Sequence, residues 1–290
     1  MEIFEVWPAA LFVAVGLLGL IVGSFLNVVA YRLPIMLERA WREQCAELDG
    51  EPPAADEGKK RFDLWWPPSA CPHCGRPVAV QHNIPILSYL WLRGRCAGCG
   101  GGIAARYPIV EGFAALVGLV VAYVLGPTWQ TVAALGFTWT VLALTLIDID
   151  QKLLPDSMTL PLLWAGLLLA AVPGSPVFVD LRSSVIGAAA GYLSLWTVYQ
   201  LFKLVTGKEG MGYGDFKLLG AIGAWVGWQM LPLVILLSAA VGTVVGVGMI
   251  VLGGRSRHVP IPFGPYLAAA GWLALLWGQH LMGLYGALLF

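Results

Sequence analysis

Gly212-Tyr-Gly-Asp-Phe-Lys217 runs directly into Leu-Leu-Gly-Ala-Ile-Gly-Ala-Trp-Val226, so that an aspartate, Asp215, stands at the mouth of an apolar segment. A second aspartate, Asp148, lies at the end of another apolar segment, in Leu146-Ile-Asp-Ile-Asp-Gln-Lys152. A carboxylate at the edge of hydrocarbon loses hydration, and its presence there points to function. The rest of the chain is similarly apolar: 58% of its 290 residues are hydrophobic and only 12% are charged, with a mean hydropathy of +0.77. That much charge cannot cover a water-soluble surface, and the composition predicts an all-α polytopic membrane protein embedded in a lipid bilayer. The formal net charge of zero argues against a nucleic-acid binder that relies on a basic field.

A span needs about 20 residues to cross roughly 30 Å of hydrocarbon. Apolar runs of suitable length fall near 8–31, 109–126, 130–149, 157–172, 183–202, 218–232, 233–252 and 264–283, which predicts eight transmembrane helices. The first run follows Glu2 and Glu5, with no basic stretch before it and no small-residue cleavage site after it. It reads as a retained helix. Lys and Arg collect on the cytoplasmic side of membrane proteins. Residues 32–108 carry ten of the 17 basic residues, and alternation of spans puts Lys152, Lys203, Lys208, Lys217, Arg255 and Arg257 on the same side, leaving only Arg182 opposite. Both termini are then expected on the outer face, and Asp148 and Asp215 together at the inner one.

The segment 32–108 holds most of the charge and reads as a small cytoplasmic domain. Its stretch 45–63 is acidic and proline-rich, with the composition of a mobile loop. Cys71-Pro-His-Cys74 and Cys96-Ala-Gly-Cys99 form two C-x-x-C pairs separated by 21 residues. Each pair turns the chain so that two thiolates face one tetrahedral ion, and four thiolates leave no open position for water, which is the signature of structural zinc. Two disulfides are the alternative, disfavoured in a reducing compartment. Cys45 lies outside the pairs, and His73 falls between two ligands without being counted as one.

Two carboxylates that share a site cannot both ionise cheaply, so one proton is held between them. Such a pair can activate water and protonate a departing amine. Glycines at 212 and 214 allow an irregular backbone close to a substrate strand. An aspartate at a helix start is also a common cap, and both readings of Asp148 and Asp215 stand on the spacing alone. Asp150 and Asp156 are rivals for the first position: Asp156 reads more as the N-cap of the fourth span and Asp150 as a solvated neighbour or auxiliary acid, while Lys217 either orients a carboxylate or extends to the interface.

The chain resembles the type IV prepilin peptidases, the GxGD class of membrane aspartic proteases. The resemblance is carried by Gly23-Ser-Phe-Leu-Asn-Val-Val-Ala-Tyr-Arg-Leu-Pro34, the two cysteine pairs, Tyr107-Pro-Ile-Val-Glu111, Ile147-Asp-Ile-Asp150, Leu154-Pro-Asp156, Lys208-Glu-Gly-Met-Gly-Tyr-Gly-Asp-Phe-Lys217 and Pro260-Ile-Pro-Phe-Gly-Pro-Tyr266. It implies that Asp148 and Asp215 are the catalytic dyad of an enzyme of the bacterial inner membrane. The enzyme would cut the basic leader from type IV prepilins and type II secretion pseudopilins on the cytoplasmic side. It would then methylate the new N-terminus with S-adenosylmethionine. On this resemblance the chain divides into a first transmembrane helix (1–31), a zinc-binding domain (32–108) and a seven-helix protease domain (109–290). A Gly-Lys pair before the third cysteine is tied to methylation in the family, and here Gly94 and Arg95 occupy it. Arg keeps the charge of Lys but not its geometry. Asn27, Arg32 and Glu111 also match family motifs, and they read as hydrogen-bonding residues at helix ends.

Two other classes compete. A proton-coupled carrier is expected to place its ionisable groups near the bilayer midplane rather than at one edge. A zinc protease is expected to carry H-E-x-x-H, which is absent.

Overall fold

Helices follow the apolar runs in the computed structural model, which describes residues 8–50, 61–172, 177–251 and 262–289, with side chains as far as 283. Several positions used above lie outside the described residues: Glu2, Glu5, Lys59, Lys60, Arg255, Arg257, Pro260 and Ile261. The chain divides into two units, Met1–Tyr123 and Val124–Phe290.

In the first unit, α1 (Pro8–Leu48) begins with proline, whose missing N–H is not needed in a first turn. It runs for 41 residues, about 60 Å, so it continues well past the predicted span. Pro34 removes one backbone donor without stopping it. Residues 45–48 of the expected loop are therefore helical, while 51–60 lie outside the described residues. A 3-10 turn at Val80–Asn83 and the single-turn α2 (Leu87–Trp91) lead towards α3 (Arg106–Leu125). Gly19 and Gly23, one helical turn apart, let α1 and α3 touch backbone to backbone. A Cβ on Gly19 would stand 2.6 Å from the Cα of Ala115, and one on Gly23 2.6 Å from the Cα of Glu111.

The second unit contains α4 (Trp129–Gln151), α5 (Asp156–Ala170), α6 (Leu181–Thr206), α7 (Tyr213–Val226), α8 (Leu231–Val251) and α9 (Gly264–Leu289). The hydroxyl of Thr128 caps α4 by accepting the Thr131 N–H, and the Asp180 carboxylate caps α6 through the Ser183 N–H. α7 is the central element, with every residue from Leu218 to Val226 buried, as expected of a helix that is apolar all round. Gly187 and Gly223 face one another so closely that a side chain on either would collide with the other's carbonyl. Ser184 Oγ donates to the Ala224 carbonyl at 2.6 Å, and Trp225 Nε1 to the Leu162 carbonyl at 2.8 Å, fastening α6 and α5 to α7. Trp272 Nε1 donates to Thr138 Oγ1 at 3.0 Å, fastening α9 to α4.

This is a helical, multi-pass membrane protein, with no strands among the described residues. Among the described residues, eight long helices, α1 and α3 to α9, stand where eight spans were expected, and five segments are long and apolar enough to cross a bilayer by themselves: α1, α3, α4, α6 and Trp228–Val251, which contains α8. With 15 and 14 residues, α5 and α7 fall short of the about 20 that a span requires. The sixth predicted span, 218–232, is broken at Gly227. That residue (φ +80°, ψ 166°) ends α7 in a conformation open only to glycine, and a 3-10 turn follows.

Candidate active site and metal centre

Asp148 lies in the last turn of α4, where the backbone reverses. Lys152 adopts a left-handed conformation and returns its N–H to the Asp148 carbonyl at 2.9 Å. Pro155 then starts α5. Asp215 lies in the first turn of α7, its N–H bonded to the Gly212 carbonyl at 3.2 Å. The two residues are only 5% and 8% exposed.

Leu154 joins the elements that bring them together. A Cβ on Gly214 would meet the Leu154 Cβ at 2.7 Å, and a Cβ on Gly264 would meet the Leu154 Cδ1 at 3.3 Å. The start of α9 completes the site, since the Gly264 N–H donates to Asp148 Oδ2 at 3.0 Å. The turn after α4, the start of α7 and the start of α9 thus converge on one acidic pocket.

Lys217 Nζ contacts both carboxylate oxygens of Asp156 at 2.7 Å. Pro155 is the N-cap of α5, so Asp156 is its first helical residue instead of the cap, held by a cation from α7. Its ion pair links the segment that follows Asp148 to the turn that carries Asp215. Asp150 is exposed. The loop between α6 and α7 is fastened by the Lys203–Glu209 ion pair at 2.9 Å, which keeps the Glu209 carboxyl below its usual range. Tyr199, Tyr213 and Phe216, the last two flanking Asp215 in sequence, pack together, Tyr213 edge to face on Phe216 and Tyr199 tilted against both. A cavity of about 1150 Å³ lies between α4 and α5 and reaches Ser157, but neither aspartate lines it.

Sequence reasoning singled out the two acids but missed Leu154, Gly264 and the Asp156–Lys217 pair as one assembly. The signal was present in the motifs Leu154-Pro-Asp156 and Pro260 to Tyr266. Neither contains a residue whose chemistry announces a role without its neighbours.

In the first unit, Cys71, Cys74, Cys96 and Cys99 form a cluster whose sulfurs all lie within 4.8 Å of one another, with Cys71 and Cys99 at 3.9 Å. Zn–S bonds of about 2.3 Å at tetrahedral angles separate sulfurs by about 3.8 Å, so the four fit one zinc ion. The two halves are built alike. Cys71 N–H donates to the Arg76 carbonyl and Gly75 N–H to the Cys71 carbonyl, while Cys96 N–H donates to the Gly101 carbonyl and Gly100 N–H to the Cys96 carbonyl. Gly75 and Gly100 take matching positive φ values of 69° and 72°, which explains glycine at these turns.

Amides of Cys99 and Gly98 bonded to the Cys96 sulfur lower its thiol to about 6, favouring the thiolate that binds metal. Cys99 also accepts an amide, from Gly101, but desolvation and the other three sulfurs outweigh it and push its thiol up to about 11. Four sulfurs gathered this closely suit a cation that displaces their protons. His73 packs against Gly101 outside the cluster, and Cys45 is exposed.

Gly94 (φ +68°) lies against the Tyr89 ring, with its carbonyl accepting the Ile103 N–H at 2.7 Å. Arg95 sits in an antiparallel bridge with Gly102. These contacts account for the glycine by its positive φ and its packing. Asn27 donates to the Gly23 and Tyr107 carbonyls, and Arg32 to the carbonyls of Asp63 and Pro67. Glu111 accepts the Ile86 N–H at 2.7 Å. All three are buried structural ties.

Buried paired aspartates at helix ends in a multi-pass membrane protein, with a four-thiol metal site, define a membrane-embedded acid-pair protein. Comparison with known proteins gives the family. Residues 17–125 match the Bacterial Peptidase A24 N-terminal domain, and residues 135–247 match the Type IV leader peptidase family. The chain is 55% identical over 287 residues to a protein of Aeromonas hydrophila, covering 98% of this chain and 97% of that one. It is 53% identical over 285 residues to a protein of Aeromonas salmonicida (98% and 97% covered). It is 52% identical over 278 residues to one of Pseudomonas aeruginosa (96% and 94% covered). Each of these relatives is named a prepilin leader peptidase/N-methyltransferase. No solved structure matches significantly. The chain belongs to the type IV leader peptidase family, a family of enzymes.

Proposed function

We propose that this chain is a membrane-embedded aspartic endopeptidase that removes the basic leader from type IV prepilins and pseudopilins, and that it then N-methylates the newly exposed residue using S-adenosylmethionine. The observation that carries the peptidase reading is that the buried Asp148 and Asp215 stand on segments far apart in sequence that meet around Leu154 and Gly264. The relatives' printed name supports both activities.

The Gly264 N–H bonds Asp148, and the scheme accordingly assigns the charge to Asp148 and the single shared proton to Asp215. Asp148 takes a proton from water, whose oxygen attacks the scissile carbonyl carbon. Asp215 gives its proton to the leaving amine as the C–N bond breaks. The products are the leader carboxylate and a free N-terminal amine, and the pair recovers one shared proton. Burial excludes bulk water from the step.

In this reading the first transmembrane helix lies within 1–31, the C-terminal part of α1 and the segment up to 108 belong to the domain in which Cys71, Cys74, Cys96 and Cys99 would hold structural zinc, and 109–290 make up the protease domain. Zinc supplies folding free energy rather than chemistry. S-adenosylmethionine supplies an electrophilic methyl group to the new amine. Gly94 and Arg95 are linked to methylation by family resemblance, and no step is routed through them. The distribution of Lys and Arg supports placement in the bacterial inner membrane with the active site at the cytoplasmic face and both termini periplasmic.

The test is incubation of the detergent-solubilised chain with a purified prepilin and isotopically labelled S-adenosylmethionine, followed by mass measurement of the product's N-terminus. The expected product has lost its leader and gained one labelled methyl group. An intact prepilin in the presence of folded protein overturns the peptidase reading, and a cut but unlabelled product overturns only the second activity.

A further inference from the structure

The sequence from Pro77 to Leu92 contains no Asp, Glu, Lys or Arg, although Arg76 and Arg93 flank it. In the fold this stretch forms the 3-10 turn and α2, and its apolar side chains point outward rather than into a core. Leu87, Leu90 and Trp91 are 64%, 64% and 80% exposed, at i, i+3 and i+4 on one face of α2. Val80 and Ile84 are exposed as well. An uncovered apolar surface of this kind needs a partner.

Its height identifies that partner. The Ile86 N–H is bonded to Glu111, and the Ile86 Cδ1 lies 3.6 Å from where a Cβ on Gly112 would stand. Glu111 is in the second turn of α3 (Arg106–Leu125), a helix long and apolar enough to span the bilayer, roughly 7 Å along the axis from its start. Ile86 is held there at positive φ (φ +59°, ψ −49°) in a tight turn closed by the Leu87 N–H on the Pro85 carbonyl, which is strained for a β-branched residue. A second segment reaches the same level. The Asp63 carboxylate accepts the N–H groups of Trp65 and Trp66, and the Trp65 ring stacks on Phe25 of α1 at 5.6 Å. Phe25 is two residues beyond Gly23, the glycine that touches Glu111. Both tryptophans are exposed. Two aromatic segments thus flank the α1–α3 pair at the depth where a span meets the headgroups.

We propose that Trp65, Trp66, Leu87, Leu90 and Trp91 form an interfacial foot that lies in the headgroup–acyl boundary of the leaflet from which α1 and α3 emerge. Aromatic rings are favoured at that boundary, and a short amphipathic element lies in it to a depth of about 5–10 Å. Arg93 and Arg95 follow at the level of the lipid phosphates. The foot fixes the height and tilt of the four-cysteine knuckles over the membrane, so that the metal domain is bound to the lipid surface rather than tethered loosely in water.

The test uses the full-length chain in nanodiscs of phosphatidylethanolamine and phosphatidylglycerol, with the photoreactive residue p-benzoylphenylalanine replacing Trp91, Trp65 or, as a control, Arg42. Arg42 is exposed on α1, roughly 28 Å along the axis beyond Gly23. After irradiation, intact-mass analysis is expected to find phospholipid adducts at 91 and 65 on the order of tenfold above those at 42, because a side chain in the boundary is surrounded by lipid. Equal adducts at all three positions, or cross-links at 91 to a second copy of the chain in place of lipid, overturn the proposal. Elution as a single species and unchanged zinc content show that each substituted protein is folded. A further variant, Trp91→Tyr, is expected to retain protection of 84–92 from hydrogen exchange in nanodiscs, whereas Trp91→Glu loses it. Identical exchange in the two also counts against the foot.

Discussion

Gly264 donates its backbone N–H to Asp148 Oδ2 at 3.0 Å, joining the first residue of α9 to the last turn of α4 across 116 positions of sequence. No side chain fits at this contact, because a Cβ on Gly264 would stand 2.5 Å from the same oxygen. Gly264→Ala is therefore expected to push the Asp148 carboxylate out of place and slow leader cleavage by about 10²-fold, the usual cost of a misplacement near 1 Å. Initial rates of leader release measure this, with methylation of a pre-cut substrate as the folding control. Unchanged cleavage removes the hydrogen bond from the mechanism.

Asp148→Asn and Asp215→Asn keep size and hydrogen-bonding capacity while abolishing proton transfer. Each is expected to reduce cleavage by about 10³-fold or more and to leave membrane insertion and zinc content intact. Mass spectrometry of a prepilin incubated with either purified variant reads the outcome. Normal processing by one of them would falsify the pair.

The Asp156–Lys217 ion pair is half-exposed, with side chains 53% and 31% accessible, and exposed pairs contribute only about 0.2–1 kcal/mol. Asp156→Asn and Lys217→Met are expected to lower kcat several-fold with little change in KM, by loosening the turn that carries Asp215. The charge-reversed double variant, Asp156→Lys with Lys217→Asp, is expected to recover part of the loss. If Lys217→Met abolishes cleavage and the swap recovers nothing, Lys217 acts on substrate itself.

Replacing Cys74 and Cys96 by Ser removes one thiolate from each knuckle and is expected to abolish bound zinc and lower the melting temperature of the 32–108 region. The thiol of Cys96 lies at about 6 in the fold, below its ordinary value. Zinc binds the deprotonated thiols, so bound metal is expected to fall as pH is lowered. Zinc retained after dialysis across a pH series, measured by elemental analysis, checks both statements. Undiminished metal in the double variant contradicts the assignment.

Glu111→Ala leaves the strained Ile86 without an acceptor for its N–H. An unsatisfied buried donor costs about 1–3 kcal/mol, so the variant is expected to raise hydrogen exchange in 84–92 selectively, with cleavage by the Asp148–Asp215 pocket retained. Uniformly faster exchange over the whole chain points to general unfolding instead.

Much of this was written locally. Apolar runs placed all eight long helices, because burial in hydrocarbon is a property of each segment alone. The cysteine spacing placed the metal cluster, because a knuckle closes within six residues through its own backbone bonds. The errors also have local causes. The first helix was ended at 31, where hydropathy falls, although hydrogen bonding continues to Leu48 in a polar, exposed segment. The span at 218–232 ignored Gly227, whose φ no hydropathy scale records.

Sequence by itself determined the membrane architecture, the four-thiol cluster and the two acids worth attention, since each follows from residue type and short-range spacing. Only the tertiary structure decided that Asp148 and Asp215 share a pocket, that Leu154 and Gly264 shape it, that Lys217 holds Asp156, and that Glu111 fixes Ile86. Those facts depend on which helix ends meet, and that is set by backbone contacts at glycines and by buried hydrogen bonds between residues as much as 116 positions apart.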